Sequence, residues 1–113
     1  MLLGMASSSR PRTNHLNLTH HARIRLSERG LWPALGHIAR IAYHPGAPRF
    51  ADLSADGRRV ERIEVDGICI IVARQHRARH LTLLTVHSGS DNGAFACNRI
   101  ATVSRNLAKS RSA

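Results

Sequence analysis

Apolar and polar positions alternate in blocks along this chain, and the blocks predict a mixed α and β domain. Ala22 and Leu26 lie four residues apart, which is a helical spacing, with Thr19 suited to the N-cap and Gly30 to a left-handed stop. A second helix is predicted over Pro33–Tyr43, because proline fits a first helical turn and apolar residues then recur on one face. Two short helices therefore open the predicted domain.

The pattern that follows is typical of a β-hairpin. Apolar and charged residues alternate over Arg59–Asp66, and Asp66-Gly67 favours a type I′ turn into Ile68–Arg74. That second strand begins with a continuous apolar run, which indicates burial on both faces, and His80–His87 predicts a third strand. We expect an antiparallel sheet with the second of these strands at its centre.

The remaining segments show weak periodicity. Residues 1–17 are rich in Ser, Arg, Pro and Asn and are predicted to form a flexible basic arm. Residues 50–58 are predicted to form a loop, and 88–113 a weakly ordered basic tail with a short helix over 98–108. The predicted organisation is thus an arm, one α+β domain at 18–87 and a tail.

Charge narrows the class of partner. The chain has 113 residues, enough for one domain, and 17 Lys+Arg against 7 Asp+Glu give a net charge of +10. Such a field attracts polyanions, either nucleic acid or an anionic membrane. The chain lacks a membrane-spanning apolar run and a secretory signal pattern, and two cysteines do not make a disulfide framework. We expect a soluble cytoplasmic protein with no membrane partner.

One face of the first predicted helix concentrates candidate chemistry. His21, Arg25 and Arg29 follow one another at intervals of four residues, so they share a helical face. Two guanidiniums can clamp a phosphate while an imidazole moves a proton. The alternative is an ordinary solvated helix face, on which Glu28 pairs with Arg25 or Arg29.

This pattern, HAxxRxxxRG at residues 21–30, is followed by a short helix, a hairpin and the strand LTVH. In this order it resembles a family of small bacterial domains grouped with RelE/ParE-like toxins, within the wider barnase, EndoU, colicin and RelE group of ribonucleases. The resemblance covers about residues 18–87. It implies a RelE-like α+β fold, in which two N-terminal helices pack on a curved antiparallel sheet of three to four strands and RNA lies in the cleft between them.

The resemblance also implies a toxin-like endoribonuclease that needs neither a metal nor another cofactor. Cleavage would proceed by attack of the RNA 2′-hydroxyl, with His21 as general acid or base, Arg25 stabilising charge and His87 supplying the complementary proton transfer. Further candidates for nucleic-acid contacts lie on the helix motif, on the sheet and on the basic turn 74–80. This turn is either a phosphate-binding rim or a solvated loop. The expected nucleic-acid contacts are Arg29, Arg74, Arg77, Arg79 and Thr85.

Two other function classes explain the same charge. One is a non-catalytic nucleic-acid-binding or regulatory module, and the other is an antitoxin-type protein-interaction domain. The expected partners are therefore RNA, including RNA on the ribosome, or an acidic antitoxin or immunity protein. A metal site is not expected, because the eight histidines form no HExxH pattern and the cysteines no CxxC. His15, His37 and His44 are interpreted as surface or capping residues.

Overall fold

A computed structural model describes residues 16–53, 58–74, 80–89 and 91–112 of the chain. Five strands and three α-helices follow one another along these segments, with a 3₁₀ turn at Trp32–Ala34 leading into the second helix. They are β1 (Leu16–Leu18), α1 (His20–Arg29), α2 (Leu35–Tyr43), β2 (Arg49–Leu53), β3 (Arg59–Val65), β4 (Ile68–Arg74), β5 (Leu81–His87) and α3 (Gly93–Ser112).

The strands form one mixed sheet in the order β1-β5-β4-β3-β2. Strands β2 to β5 are antiparallel to their neighbours, whereas β1 runs parallel to β5, with Leu16 opposite Leu81. The predicted hairpin is confirmed, since β3 and β4 pair along their lengths, and Asp66 and Gly67 have φ angles of 51° and 79°. Positive φ at both central residues is what a type I′ turn requires. Strand β4 occupies the centre, as its apolar run predicts.

The predicted fold class, a RelE-like pair of N-terminal helices on an antiparallel sheet of three to four strands, is wrong. The sheet has five strands and is mixed, an N-terminal strand precedes α1, and a helix of 20 residues follows the sheet. Strand β1 has three residues and strand β2 has five, and segments this short carry too little alternation to reveal themselves in the sequence. The cleft expected between helices and sheet is filled by the hydrophobic core.

That core lies between the helices and one face of the sheet. Leu26 of α1, Ile38 of α2 and Ile100 of α3 are fully buried and belong to the same apolar cluster as Ile70 and Val72 of β4. Side chains alternate between the two faces of a strand, so the residues between these positions form the opposite face. We call that face the outer face; cross-strand pairing places Phe50, Arg62, Glu64, Ile71, Thr85 and His87 on it.

Helix α1 lies along the edge of β5, past the end of β1. Its N-cap is Thr19, as predicted, whose Oγ1 accepts a hydrogen bond from the Ala22 amide at 3.0 Å and donates one to the Leu83 carbonyl at 3.2 Å. The residue that caps its C-terminus, Gly30, has φ 64°, also as predicted, and a Cβ there would lie 3.1 Å from Gly93 Cα. Both ends of α1 are therefore fixed against other elements.

Helix α3 is longer than the sequence predicts. The sequence indicates a helix only over 98–108, whereas α3 runs from Gly93 to Ser112. Its buried side chains include Ala96, Ile100 and Val103, which face the core at helical spacing. Even so, none of the described helices combines the length and the apolar content needed to cross a bilayer.

Candidate nucleic-acid interface

The first site residues lie together on α1, where His21 and Arg25 are in direct contact. The His21 imidazole is exposed, and Arg25 Nε donates a hydrogen bond to its Nε2 at 3.2 Å. Arg25 Nη1 also forms an ion pair with Glu28 Oε1 at 2.7 Å. The local pairing that the sequence left open is therefore present, and Glu28 neutralises part of the charge beside His21.

Arg29 shares the helix with these residues but contacts the sheet. Its Nη1 donates a hydrogen bond to the Val86 carbonyl oxygen at 2.8 Å, and its side chain is half-buried. This carbonyl lies on β5 beyond the three residues that pair with β1, where the edge of the strand would otherwise lack a donor. Arg29 therefore anchors α1 to β5.

The structure does not bring His21 and His87 together. Thr19 N donates to the Leu83 carbonyl at 3.2 Å, which places the first turn of α1 beside Leu83. His87 follows four residues later, about 13 Å along the strand at the usual rise per residue. It also lies opposite Cys69 on the outer face, with Thr85 two residues before it. An acid–base pair of His21 and His87 across one phosphodiester is thus not assembled.

Arg74 belongs to an ion-pair cluster around Glu61 on the core side of the sheet. The Glu61 side chain is only 4% exposed, and it pairs with Arg49 at 2.7 Å, Arg74 at 3.1 Å and Arg59 at 3.2 Å. Burial by itself raises the pKa of the Glu61 carboxyl, but hydrogen bonds from Arg74 and Arg49 outweigh it, so the pKa lies below its usual range. Arg74 is therefore engaged in holding strands together.

Arg77 and Arg79 lie outside the described residues, as does the rest of 75–79. The basic rim predicted at this turn accordingly stays a prediction. The two ends of the rim, Arg74 and His80, belong to the described residues, and the Arg74 guanidinium points to Glu61.

Sequence reasoning missed a groove between α2 and α3, which has a volume of about 460 Å³. Arg40, at the end of α2, lines one wall and Arg105 of α3 lines the other. The remaining lining residues, none of them acidic, are Tyr43, His44, Pro45, Ser104 and Ala108. The signal was weak because Arg40 and Arg105 are far apart in sequence, and each reads as an ordinary exposed arginine of its own helix.

Of the histidines interpreted as surface or capping residues, His44 lines this groove and His37 contacts Arg40, one of its lining residues. Arg40 Nη1 is 3.4 Å from His37 Nδ1. Partial burial, together with the charges of Arg40 and Arg105, holds the pKa of His37 below its usual range. His44 lines the groove. Its Nδ1 accepts a hydrogen bond from the Gly46 amide at 2.9 Å, so it acts as a capping residue for the turn that follows α2. Its Nε2 is buried and has no hydrogen-bond partner among the described residues.

The described ion pairs leave a surplus of positive charge. The carboxylates of Glu28, Glu61, Glu64 and Asp91 are all paired with arginines. Arg23, Arg40 and Arg105 form no ion pair with any residue in the described part of the chain. Each of the three helices thus carries one of these arginines: Arg23 on α1, Arg40 on α2 and Arg105 on α3.

Comparison of the chain with protein-family models, with curated proteins and with solved structures finds no match.

Proposed function

We propose that this protein binds the sugar–phosphate backbone of a nucleic acid, with RNA as its target. The observation that carries the proposal is the surplus of guanidiniums over carboxylates, which leaves Arg23, Arg40 and Arg105 outside any described ion pair. Guanidinium groups match phosphate geometry, and a net charge of +10 concentrates polyanions near the surface. The preference for RNA comes from the family resemblance of the α1 motif.

Binding of this kind is expected to depend little on base sequence and strongly on salt. Each phosphate that an arginine neutralises releases condensed counterions, so the logarithm of the affinity falls linearly with the logarithm of the salt concentration. Aromatic residues are only 4% of the chain, which argues against base stacking as the main source of affinity.

Fluorescence anisotropy with labelled RNA and DNA oligonucleotides, measured across a salt series, tests this proposal. We expect binding at about 50 mM salt that weakens steadily toward about 200 mM. RNA should bind more tightly than DNA of the same sequence. Absence of binding at the lowest salt, or an affinity that salt does not change, would overturn the proposal.

RNA cleavage is a second candidate function, favoured by the contact between His21 and Arg25. The exposed imidazole could take the proton of a 2′-hydroxyl as its oxygen attacks phosphorus, while the 5′-oxygen leaves with a proton from solvent. The Nε2 lone pair of His21 that would take this proton accepts a hydrogen bond from Arg25 Nε at 3.2 Å, so Arg25 must first turn away from both His21 and Glu28. Its guanidinium would then contact the phosphate and stabilise the added charge. Water serves as the proton donor because His87 lies elsewhere on the sheet.

The neighbouring histidine offers a matched control for this second candidate. His20 and His21 are both exposed in the first turn of α1, but only His21 contacts Arg25. We expect His21→Ala to reduce RNA cleavage by about 10²- to 10⁴-fold without loss of RNA binding, and His20→Ala to leave cleavage unchanged. RNA that remains intact with the wild-type protein would exclude cleavage and leave the binding proposal standing.

A further inference from the structure

The groove between α2 and α3 holds positive charge without a compensating carboxylate. Arg40 and Arg105 line it from two different helices, and no acidic side chain is among its lining residues. Burial, followed by the charges of Arg40 and Arg105, lowers the pKa of nearby His37, so both guanidiniums act on the same imidazole. Like charges held close together disfavour each other unless an anion lies between them.

We propose that this groove binds a phosphate group, with the guanidiniums of Arg40 and Arg105 as its principal contacts. Ser104, which also lines the groove, adds a hydroxyl donor from the same turn of α3. The proposal deepens the proposed function, because a backbone phosphate is one source of this ligand. The other source is a free phosphate or a small phosphate ester.

An arginine reduces the negative charge at the C-terminal end of α2. The C-terminus of a helix exposes carbonyl oxygens that repel anions. Here Arg49 Nη2 donates to the carbonyls of Ala42 at 2.9 Å and of His44 at 3.0 Å. The guanidinium of Arg49 thus offsets the negative end of α2 beside the groove.

His44 and Tyr43 add a donor and a fixed wall. Since His44 Nδ1 accepts a hydrogen bond from Gly46, the proton of the neutral ring lies on Nε2, which has no acceptor within the described residues. Because Nε2 is buried, the imidazole must turn before this donor can reach a phosphate oxygen in the groove. Tyr43 Oη accepts a hydrogen bond from the Leu81 amide at 2.7 Å, which holds the ring in place before any ligand arrives.

Titration of the full chain with inorganic phosphate, followed by NMR shifts of amides around the groove, tests the site directly. Arg105→Gln and Arg40→Gln each remove one guanidinium, and Arg62→Gln removes the same charge from the outer face of the sheet as a control. We expect each groove variant to weaken phosphate binding about tenfold. Arg62→Gln should change it by less than about twofold, since distant surface charges are screened.

Circular dichroism melting of the same variants separates loss of the site from loss of the fold. If one groove variant unfolds, the other carries the test. The inference is overturned if the wild-type protein does not bind phosphate, or if folded groove variants bind it as well as wild type.

Anisotropy with labelled RNA on the same variants distinguishes the two ligand sources. Loss of RNA affinity in Arg105→Gln but not in Arg62→Gln, with phosphate competing, supports a backbone phosphate in the groove. Equal RNA affinity in both variants, with phosphate binding lost only in Arg105→Gln, supports a free phosphate as the ligand. If the wild-type protein binds phosphate but not RNA, the proposed function fails while the groove site stands.

Discussion

At the scale of single residues, the arginines of this protein divide by what they contact. Arg29, Arg49 and Arg74 hold a backbone carbonyl or the buried Glu61 carboxylate, so they act within the fold. Arg40 and Arg105 line a groove and form no ion pair with the residues that the structure describes. Residue type alone does not separate these groups, because the same guanidinium serves either purpose.

Replacing Arg29 with alanine should destabilise the protein. The Val86 carbonyl would lose its donor at 2.8 Å, and an unsatisfied acceptor at a partly buried site costs about 1–3 kcal/mol. Urea unfolding checks this, with Arg23→Ala on the same helix as the control, expected to change stability by less than about 0.5 kcal/mol. Equal stability in the two variants would contradict a structural role for Arg29.

Replacing Glu61 with glutamine should also lower the free energy of unfolding, by about 1–3 kcal/mol near neutral pH. The reason is that the guanidiniums of Arg49, Arg59 and Arg74 lose the buried carboxylate that all three share. The sign with pH follows from the lowered pKa of Glu61. A carboxyl with a lowered pKa stabilises the fold above its unfolded-state pKa, and this contribution is lost as the pH falls through the folded-state pKa.

The stability difference between wild type and Glu61→Gln should therefore shrink in acid, below the usual range of a glutamate. Urea unfolding of both proteins at about pH 7 and about pH 3 measures it. A difference that is the same at both pH values would show that the charge of Glu61 is not what stabilises the cluster.

At the scale of elements, two glycines have opposite effects on helix stability. Gly30 ends α1 at φ 64° beside Gly93, whereas Gly36 lies within α2 with nothing within 4 Å of an added Cβ. Gly30→Ala should destabilise the protein by about 1–2 kcal/mol, since the left-handed conformation disfavours a Cβ. Gly36→Ala should stabilise it by about 0.5–1 kcal/mol through helix propensity. Thermal melting should shift in opposite directions; a shift in the same direction would contradict these assignments.

The elements that the sequence predicts are those whose signals are local. Thr19 and Gly30 bound α1 within twelve residues, and the Asp66-Gly67 turn sets the hairpin between two alternating strands. Strand β1 has no such signal, because its three residues become a strand only through a partner 65 positions away, as in the pair of Leu16 and Leu81. Strand β2 has a near partner, since it pairs with β3, but its five residues carry too little alternation to predict a strand, and the first residues of α3 carry too little periodicity to predict a helix.

In the candidate site, too, the sequence predicts contacts between near residues but not contacts between distant elements. The contact of His21 with Arg25 joins residues four apart on one helix, so the sequence indicates it. The bond from Arg29 to Val86 and the groove of Arg40 and Arg105 join distant elements. Periodicity shows which residues share a helix face but not which other element that face will meet.

At the scale of the whole molecule, the excess charge acts on the stability of the fold as well as on binding. A net charge of +10 repels itself in the compact state, and the guanidiniums of Arg40 and Arg105 at the α2–α3 groove add to that repulsion. Added monovalent salt should therefore raise the melting temperature. The rise should be smaller in a variant carrying both Arg40→Gln and Arg105→Gln. A melting temperature that falls with salt would mean that surface ion pairs outweigh the repulsion.

From the parallel pairing of β1 with β5 we also expect an order of events during folding. Leu16 must meet Leu81, and the Thr19 amide must meet the carbonyl of Leu83, across more than sixty intervening residues. Closing so long a loop is costly until the hairpin of β3 and β4 has formed and β5 has joined it. On a ribosome, α1 emerges early but gains its docking surface only after residues 81–87 are made. The segment bearing His21 is thus synthesised among the first of the described elements and packed among the last.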